Sequence, residues 1–409
     1  MIAPSTGPLS GLKVIDMTRV IAGPLCGQIL GDLGADVVKI ERPGEGDDCR
    51  RVAPPWFREP TADTPGESTY FQAVNRNKRS LGVNLAVAQG QDIVRRLASE
   101  ADILIENYRT GTLARYGLGY DDLREVNPRL IYCSITGFGQ TGPYSGRSGY
   151  DFLVQGMGGL MAVTGLPDGE PGASPLRVGI PVVDSFAGMN AAIAVLAALE
   201  SRARTGQGQC IDISLFESAV ASLHNAASSW LNAGINLGRT GNDHPSAAPY
   251  GVFEACDGYI IVATFNDREF ERLANVLGHP EWLEDERFRR NSDRVRNRAA
   301  LKAVVNAVIS QRPRAEWVEI LNNATVSAGP INEMEDLEKD EHALARGLFV
   351  SLQSPGGTVR TVASPFRLSS TPPDYRMPPP AVGEHTADVL KELGYSDGEQ
   401  EALLAAGAI

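Results

Sequence analysis

Short apolar runs alternate with stretches of helical periodicity over the first half of the chain. Strand candidates lie at 12–16, 36–41, 103–106, 130–136 and 210–213, and helical spacing is found at 25–33, 91–100, 121–126, 185–202 and up to about 232. A strand that is followed by a helix and a second strand favours parallel pairing of the two strands. The pattern therefore predicts an α/β fold with an open, Rossmann-like parallel sheet covered on both faces.

The pattern changes near residue 235. Two apolar runs flank Asp257-Gly258, which is a strong signal for a tight hairpin, and helical spacing follows at about 267–277, 297–310 and 314–322. A second hairpin is predicted at 349–362, before a proline-rich strap and two short helices. We predict a large α/β domain over 1–230, a small α+β domain over 231–328, and a C-terminal segment, 329–409, that returns to the large domain.

Composition and charge narrow the class of protein. The 409 residues are 43% hydrophobic and carry a net charge of −12, which disfavours nonspecific binding of nucleic acid. The five cysteines have no metal-ligand spacing, which indicates a reducing compartment. Neither a signal-peptide pattern nor an apolar run of about 18 residues is found, so we expect a cytoplasmic protein without a membrane span.

Several common catalytic signatures are missing. No G-x-G-x-x-G or Walker-type phosphate loop follows the first strand, which disfavours hydride transfer and nucleotide hydrolysis. The first histidine is His224, so a Ser-His-Asp or Cys-His site within the predicted sheet is disfavoured as well. Metal sites of the H-x-x-x-H type are absent from the sequence.

Asp184 stands where an apolar run passes into a long helical pattern. A carboxylate at such a junction can be aimed and partly shielded from water, as a nucleophilic carboxylate requires. Asp is also a common residue at the first position of a helix, where its side chain accepts a hydrogen bond from the backbone. The segment alone leaves both interpretations open.

Basic residues follow the predicted strands. Lys39 and Arg42 end the second strand, a dense basic patch covers 75–80, and Arg109 and Arg115 follow the third strand. Ligands of open α/β sheets gather beyond the carboxyl ends of the strands, so these cations would suit a ligand with several phosphates. The alternative is ordinary solvated surface charge.

Six segments together resemble the class III (CaiB/BaiF-like) CoA-transferases, a family that also contains 2-methylacyl-CoA racemases and carnitine CoA-transferases. The segments occur in the order 12–24, 33–41, 75–80, 106–108, 183–185 and 383–386. The resemblance covers nearly the whole chain. It implies a large domain that binds CoA as a substrate, an interlocked homodimer, and no metal or tightly bound cofactor.

The resemblance also implies roles for individual residues. The nucleophilic aspartate falls on Asp184, and we expect the acyl pocket to be lined by Tyr150, Asp151, Arg19 and Ile21. With the basic clusters added, the expected CoA-binding residues are Val20, Ala22, Lys39, Arg42, Arg79, Asn107, Tyr108 and Arg115. Arg19 and Arg177 are candidates for a second cationic contact with a dicarboxylic substrate, and backbone N–H groups near Asp184 or at 156–159 are candidates for oxyanion binding.

The same resemblance separates possible activities. Racemases of this family have a histidine in a Gly-His-Asp triplet, whereas the matching residues here are Gly149-Tyr150-Asp151, which favours a transferase. The segments 42–48 and 132–143 are most similar to succinyl-CoA:dicarboxylate members, such as those that use glutarate or hydroxymethylglutarate, and 243–250 lacks the glycine-run loop of oxalate-specific members. The expected reaction passes through a mixed anhydride and an aspartyl-CoA thioester. The alternatives are a racemase, a non-catalytic acyl-CoA-binding protein and, last, a dehydrogenase.

Overall fold

The computed structural model describes residues 5–61 and 66–409. Its strands are β1 Lys13–Met17, β2 Asp36–Glu41, β3 Trp56–Arg58, β4 Glu67–Ser68, β5 Lys78–Gly82, β6 Ile103–Glu106, β7 Ile131–Thr136, β8 Cys210–Ser214, β9 Tyr250–Ala255, β10 Gly258–Ala263, β11 Ser327–Pro330, β12 Phe349–Ser354 and β13 Gly357–Val362. Its helices are α1 Ala22–Asp32, α2 Thr69–Gln72, α3 Ala88–Glu100, α4 Tyr120–Val126, α5 Asp151–Met157, α6 Leu160–Val163, α7 Val182–Thr205, α8 Leu215–Ala221, α9 His224–Ala233, α10 Asp267–Val276, α11 Asn291–Arg296, α12 Arg298–Ile309, α13 Arg314–Asn323, α14 Met334–Lys339, α15 Glu341–Ala345, α16 Thr386–Glu392 and α17 Asp397–Ala405.

Six strands form one sheet in the order β5-β2-β1-β6-β7-β8, and every neighbouring pair is parallel. The register places Ile15 of β1 opposite Val38 of β2 and Leu104 of β6. Because successive strands are joined by helical crossovers, the parallel arrangement follows from the alternation in the sequence. The predicted open parallel α/β sheet is therefore confirmed.

The two faces of the sheet are covered by different helices. Ile15 and Met17 belong to a buried cluster with Ile93 of α3, Leu123 of α4 and Leu390 of α16. Side chains alternate between the faces of a strand, so Asp16, between Ile15 and Met17, points to the other face, toward α1. Truncation of one such buried leucine or isoleucine to alanine typically costs about 2–5 kcal/mol.

Strand β5 of the large sheet was not predicted from the sequence. The segment 75–80 was expected to be a basic patch that meets either a phosphate-bearing ligand or solvent, but all six of its residues are buried. The Lys78 ammonium lies 2.8 Å from the Asp16 carboxylate and donates to the carbonyl of Pro24. Arg76 pairs with Asp32 at 2.6 Å. Buried cations are tolerated only when they are paired and hydrogen-bonded, and here the partners come from β1 and α1.

Helix α7 carries Asp184 in its first turn and packs against α1. The helix begins at Val182, three residues before the predicted start. An added Cβ atom at Gly188 would lie 2.5 Å from the carbonyl oxygen of Ala22, so glycine allows the two helices to approach closely. By length and composition α7 could also cross a membrane, but its buried face, which includes Ala187 and Ala191, packs within the domain.

The described residues fall into two compact units. The first contains 1–159, 178–223 and 343–409, apart from the residues outside the description, and the second contains 160–177 and 224–342. The second unit holds an antiparallel sheet of order β11-β10-β9, and the predicted hairpin at Asp257-Gly258 is confirmed. Its core includes Ile260, Phe270 and Trp317.

The limits of the two units differ from the predicted domain limits of 231 and 328. The segment 160–177 joins the second unit because Arg239 pairs with Asp168 and the backbone N–H of Gly241 donates to the carbonyl of Gly165. Contacts between residues about 70 positions apart leave no periodic signal in the sequence. The C-terminal helices α16 and α17 contribute Leu390 and Leu403 to the core of the first unit.

Candidate active site

A cavity of about 240 Å³ opens at the carboxyl ends of β1, β6 and β7, within the first unit. This is the edge of an open α/β sheet where ligands bind. The walls come from the loops that follow the three strands and from the first turns of α5 and α7. Nine residues predicted for the site line this cavity: Arg19, Val20, Ile21, Ala22, Asn107, Tyr108, Tyr150, Asp151 and Asp184.

The Asp184 carboxyl group lies in the wall of this cavity with a perturbed acidity. Burial raises its pKa to about 7, and the negative charge of Asp151 contributes to the same shift. A position in the first turn of a helix favours ionisation of the Asp184 carboxyl group, but burial outweighs that effect here. Among the described residues, no side chain or backbone group makes a hydrogen bond to this carboxylate. The group is therefore available to a substrate.

Asp151 takes the capping role that was the alternative interpretation of Asp184. Its Oδ1 atom accepts hydrogen bonds from the backbone N–H groups of Val183 at 2.8 Å and Asp184 at 3.2 Å. Its Oδ2 atom accepts a hydrogen bond from Gln155 at 2.6 Å, and Gln155 in turn accepts one from the backbone N–H of Val178. Asp151 thus fixes the first turn of α7 and sets the position of Asp184.

The loop between β1 and α1 forms a second wall and has an unusual backbone. Val20 has a φ of 71°, a left-handed conformation that is strained for a β-branched residue. Asp47 accepts a hydrogen bond from the backbone N–H of Val20 at 3.1 Å and pairs with Lys39 at 2.9 Å. Lys39 also donates to the carbonyl of Thr18 at 2.7 Å. The buried pair therefore holds the loop at Thr18 and at the strained residue itself.

Asn107 fastens the same loop from the other side. Its side-chain oxygen accepts a hydrogen bond from the backbone N–H of Arg19 at 2.9 Å, and its amide nitrogen donates to the carbonyl of Arg19 at 2.7 Å. Beneath it, burial raises the pKa of Glu106 to about 7, and this carboxyl group accepts a hydrogen bond from Ser134. Asn107 lines the cavity, but its amide is engaged in positioning the loop.

Four predicted CoA-binding residues do not line this cavity. Lys39 is fully buried in its pair with Asp47, and Arg79 is tied to Asp36 and Glu392, on the amino side of the sheet. Arg42 pairs with Glu45 at the surface, and Arg115 is exposed near Thr112. Positive charge alone does not distinguish a ligand-binding cation from one with a protein partner, which is why the sequence did not separate these residues.

Arg147 was not predicted for the site, whereas Arg109 was noted in the sequence only as one of the cations that follow the predicted strands. Arg109 and Arg147 line the cavity together with Arg19. Arg147 belongs to the loop between β7 and α5, and its guanidinium lies 3.9 Å from the centre of the Tyr144 ring. The only sign in the sequence that Arg147 belongs to the site was its position two residues before Gly149-Tyr150-Asp151. Among residues 5–61 and 66–409, no cluster of histidine, cysteine, aspartate and glutamate is suited to hold a metal ion.

These features together define a class of site. An accessible carboxylate with a fixed backbone, in a small cavity with several guanidinium groups, is suited to nucleophilic acyl transfer involving anionic substrates. Residues 9–386 match the model of the CoA-transferase family III, and the chain belongs to this family. It is therefore a CoA-transferase, and the resemblance noted from the sequence is confirmed.

Individual relatives are similar over nearly their whole length. A succinate–glutarate CoA-transferase of Agrobacterium fabrum is 43% identical over 387 residues, which cover 94% of this chain and 96% of the relative. A succinyl-CoA:glutarate CoA-transferase of Mus musculus is 40% identical over 407 residues, or 99% and 91% of the two chains. A crystal structure of a CAIB/BAIF family protein from Brucella suis is 44% identical, with a TM-score of 0.84 over 96% of this chain and 100% of that one.

Proposed function

We propose that the enzyme transfers CoA from succinyl-CoA to a second dicarboxylic acid, with Asp184 as the nucleophile. The observation that carries the proposal is the free carboxylate of Asp184 in the wall of the cavity, held by Asp151 through the backbone of α7. The names of the relatives from Agrobacterium fabrum and Mus musculus support succinate and glutarate as the first pair of acids to test.

In the first half of the proposed reaction, an oxygen of ionised Asp184 attacks the thioester carbonyl of the donor. The C–S bond breaks, which leaves a mixed anhydride and CoA thiolate. The thiolate then attacks the aspartyl carbonyl of the anhydride, so that the donor acid leaves as a carboxylate and CoA becomes a thioester of Asp184. Each step exchanges one acyl bond for another, and neither consumes a proton.

In the second half, the acceptor carboxylate attacks the aspartyl thioester and releases the thiolate again. The thiolate attacks the acceptor carbonyl of the new anhydride, which forms the product acyl-CoA and restores the Asp184 carboxylate. The thiolate must stay near Asp184 during both halves, because diffusion away would leave the anhydride open to water. Positioning of the CoA chain by the walls of the cavity is therefore a main contribution of the protein.

Oxyanion stabilisation is assigned to the start of α1 rather than to α7. The N–H groups of Val183 and Asp184 already donate to Asp151, and those of Gly158 and Gly159 donate to backbone carbonyls. Within the described residues, the N–H groups of Ala22 and Gly23 have no hydrogen-bond partner, and Ala22 lines the cavity. One such donor typically contributes roughly 3 kcal/mol to stabilisation of the transition state.

The proposed active form is a homodimer, and the interlocked arrangement implied by the resemblance is part of this proposal. Large apolar side chains on α5 and α7 are exposed in the single chain, including Phe152, Met189 and Ile193. Large exposed apolar side chains on two helices that pack together, as α5 and α7 do, are typical of a protein interface. Light scattering on the purified protein tests it, and a monomer at the concentrations used for assays would refute it.

The experiment that tests the function is exchange of CoA between acids. Purified enzyme is incubated with succinyl-CoA and a panel of mono- and dicarboxylic acids, and the acyl-CoA products are separated by liquid chromatography with mass detection. We expect glutaryl-CoA and free succinate in equal amounts. No exchange with any acid, together with incorporation of solvent deuterium next to the thioester carbonyl of a branched acyl-CoA, would instead identify a racemase.

A further inference from the structure

Three guanidinium groups line the cavity, and they differ in what they contact. Arg19 pairs with the Asp48 carboxylate at 2.8 Å. Arg109 donates from Nε to the carbonyl of Gly146 at 3.1 Å. Arg147 contacts the ring of Tyr144, but no carboxylate pairs with it among the described residues. Arg109 and Arg147 are therefore cations at the cavity that no described carboxylate neutralises, and of the two only Arg147 makes no side-chain hydrogen bond to the described residues.

We propose that Arg147 is the specificity-determining residue that binds the distal carboxylate of a dicarboxylic acyl group. The inference rests on the proposed function, because it concerns the acid that Asp184 activates. A planar guanidinium suits a terminal carboxylate, since two parallel N–H···O hydrogen bonds can form. The reacting acyl group of a dicarboxylic substrate would then face Asp184, and the charge of its distal carboxylate would be paired with Arg147.

The surroundings of Arg147 hold it at the cavity. The guanidinium carbon of Arg147 lies over the Tyr144 ring, 3.9 Å from its centre, and no described residue accepts a hydrogen bond from the guanidinium N–H groups. The backbone N–H of Arg147 donates to the carbonyl of Tyr144 at 2.8 Å, which closes a turn. Arg109 binds the carbonyl of Gly146, the residue next to Arg147, and thereby fastens the turn from β6. Arg109 is thus a positioning residue for Arg147.

Arg19, which the sequence offered for the same role, is less suited to it. Its guanidinium is already paired with Asp48, and its backbone is held by Asn107. A substrate carboxylate would have to displace Asp48 and leave that carboxylate without its partner. Binding to the unpaired guanidinium of Arg147 carries no such penalty.

Arg147 could instead bind a phosphate of CoA. The two possible ligands are distinguished by comparing acceptor acids with and without a distal carboxylate. The variants are Arg147→Ala and Arg147→Lys, with Arg124→Ala as the matched control, because Arg124 is an exposed arginine of α4 that does not line the cavity. Each is assayed for kcat/KM with glutarate and with pentanoate, which has the same chain length and no second carboxylate. Where turnover of pentanoate is too slow, calorimetric binding of the two acids supplies the same ratio.

We expect Arg147→Ala to lower kcat/KM for glutarate by about 10- to 100-fold, the typical effect of losing a charge-assisted contact, and to leave pentanoate unchanged. Arg147→Lys should recover part of the loss, and Arg124→Ala should match the wild type. An equal fall for both acids would assign Arg147 to CoA, and no fall for either would remove it from the site; both results overturn the inference. Failure of the wild-type enzyme to use any dicarboxylic acid would instead refute the proposed function.

Discussion

The Oδ1 atom of Asp151 lies 3.2 Å from the backbone nitrogen of Asp184 and accepts its hydrogen bond. The same carboxylate raises the pKa of the Asp184 side chain, as the second cause after burial. One residue therefore fixes where the nucleophile stands and makes its carboxylate more basic. A more basic carboxylate is a stronger nucleophile, provided that it is ionised at the working pH.

Replacement of Asp151 by asparagine tests the electrostatic half of this relationship. Since the pKa of Asp184 is about 7, kcat/KM of the wild type should fall below neutral pH as the nucleophile becomes protonated. Asp151→Asn keeps an oxygen that can accept the backbone N–H and removes the negative charge. The acidic limb of the profile should therefore move to lower pH. A limb in the same place for both proteins would show that Asp151 does not influence the acidity of Asp184.

Stability should respond to pH through Asp184 itself. Its pKa is raised from 3.8 in the reference state to about 7 in the folded protein, so the folded state binds the proton more tightly. This tighter binding of the proton stabilises the folded state fully below the pKa of Asp184 in the unfolded chain. The stabilisation is lost as the pH rises through the pKa of Asp184 in the folded protein. Asp184→Asn should thus be more stable than the wild type at about pH 8, by about 1–3 kcal/mol, and similar to it at about pH 4. Urea denaturation at both values of pH measures the difference, and an advantage confined to acid pH would contradict the assignment.

The buried pair of Lys39 and Asp47 should matter for substrate binding without contact to the substrate. Asp47→Asn removes the charge that pairs with a buried ammonium, which typically costs about 3–5 kcal/mol, and so weakens the Lys39–Asp47 clamp on the loop. We expect KM for succinyl-CoA to rise by roughly tenfold, because the loop forms a wall of the cavity.

Val20→Gly supplies the control for this effect. Glycine adopts a φ of 71° without strain, so the loop depends less on its clamp. In the double variant, Val20→Gly should recover part of the KM of Asp47→Asn and little of its stability. If the changes in KM caused by Asp47→Asn and Val20→Gly simply add in the double variant, the Lys39–Asp47 pair does not act on substrate binding through the loop at Val20.

Arg79 should prove to be a structural residue. Its guanidinium joins β5 to Asp36 of β2 and Glu392 of α16. Both partners are largely exposed, so Arg79→Met should lower the free energy of unfolding by only about 1–2 kcal/mol and leave KM for succinyl-CoA unchanged. Urea denaturation and steady-state kinetics on the same preparation measure the free energy of unfolding and KM. An increase in KM at unchanged stability would return Arg79 to the CoA site.

The sequence predicted those strands and helices whose apolar residues form a short apolar run or recur with helical spacing. Strands β2 and β6 coincide with their expected ranges, and the Asp257-Gly258 turn fixed the hairpin of the second unit. Strand β5 was missed because its residues are mostly polar or charged, and the burial of Lys78 and Arg79 depends on Asp16 and Asp36 elsewhere in the chain. No local pattern reports such pairing.

Part of the candidate site was also predicted from the sequence, and part was not. Asp184 and the residues of the β1–α1 loop were found because motifs of the family lie on them. The role of Asp151 as the cap of α7 depends on a contact over 33 positions, which only the fold reveals. Arg147 lies in a segment without periodicity, and its contact with Tyr144 could not be read from the order of residues.

The most direct test is to find CoA on Asp184. The enzyme is mixed with succinyl-CoA, quenched in acid, digested and analysed by mass spectrometry. The account predicts a CoA thioester on the peptide that contains Asp184, its disappearance when glutarate is added before the quench, and its absence from Asp184→Ala, which should be folded and inactive. Normal turnover by Asp184→Ala, or a CoA adduct on another residue that glutarate discharges, would contradict the account.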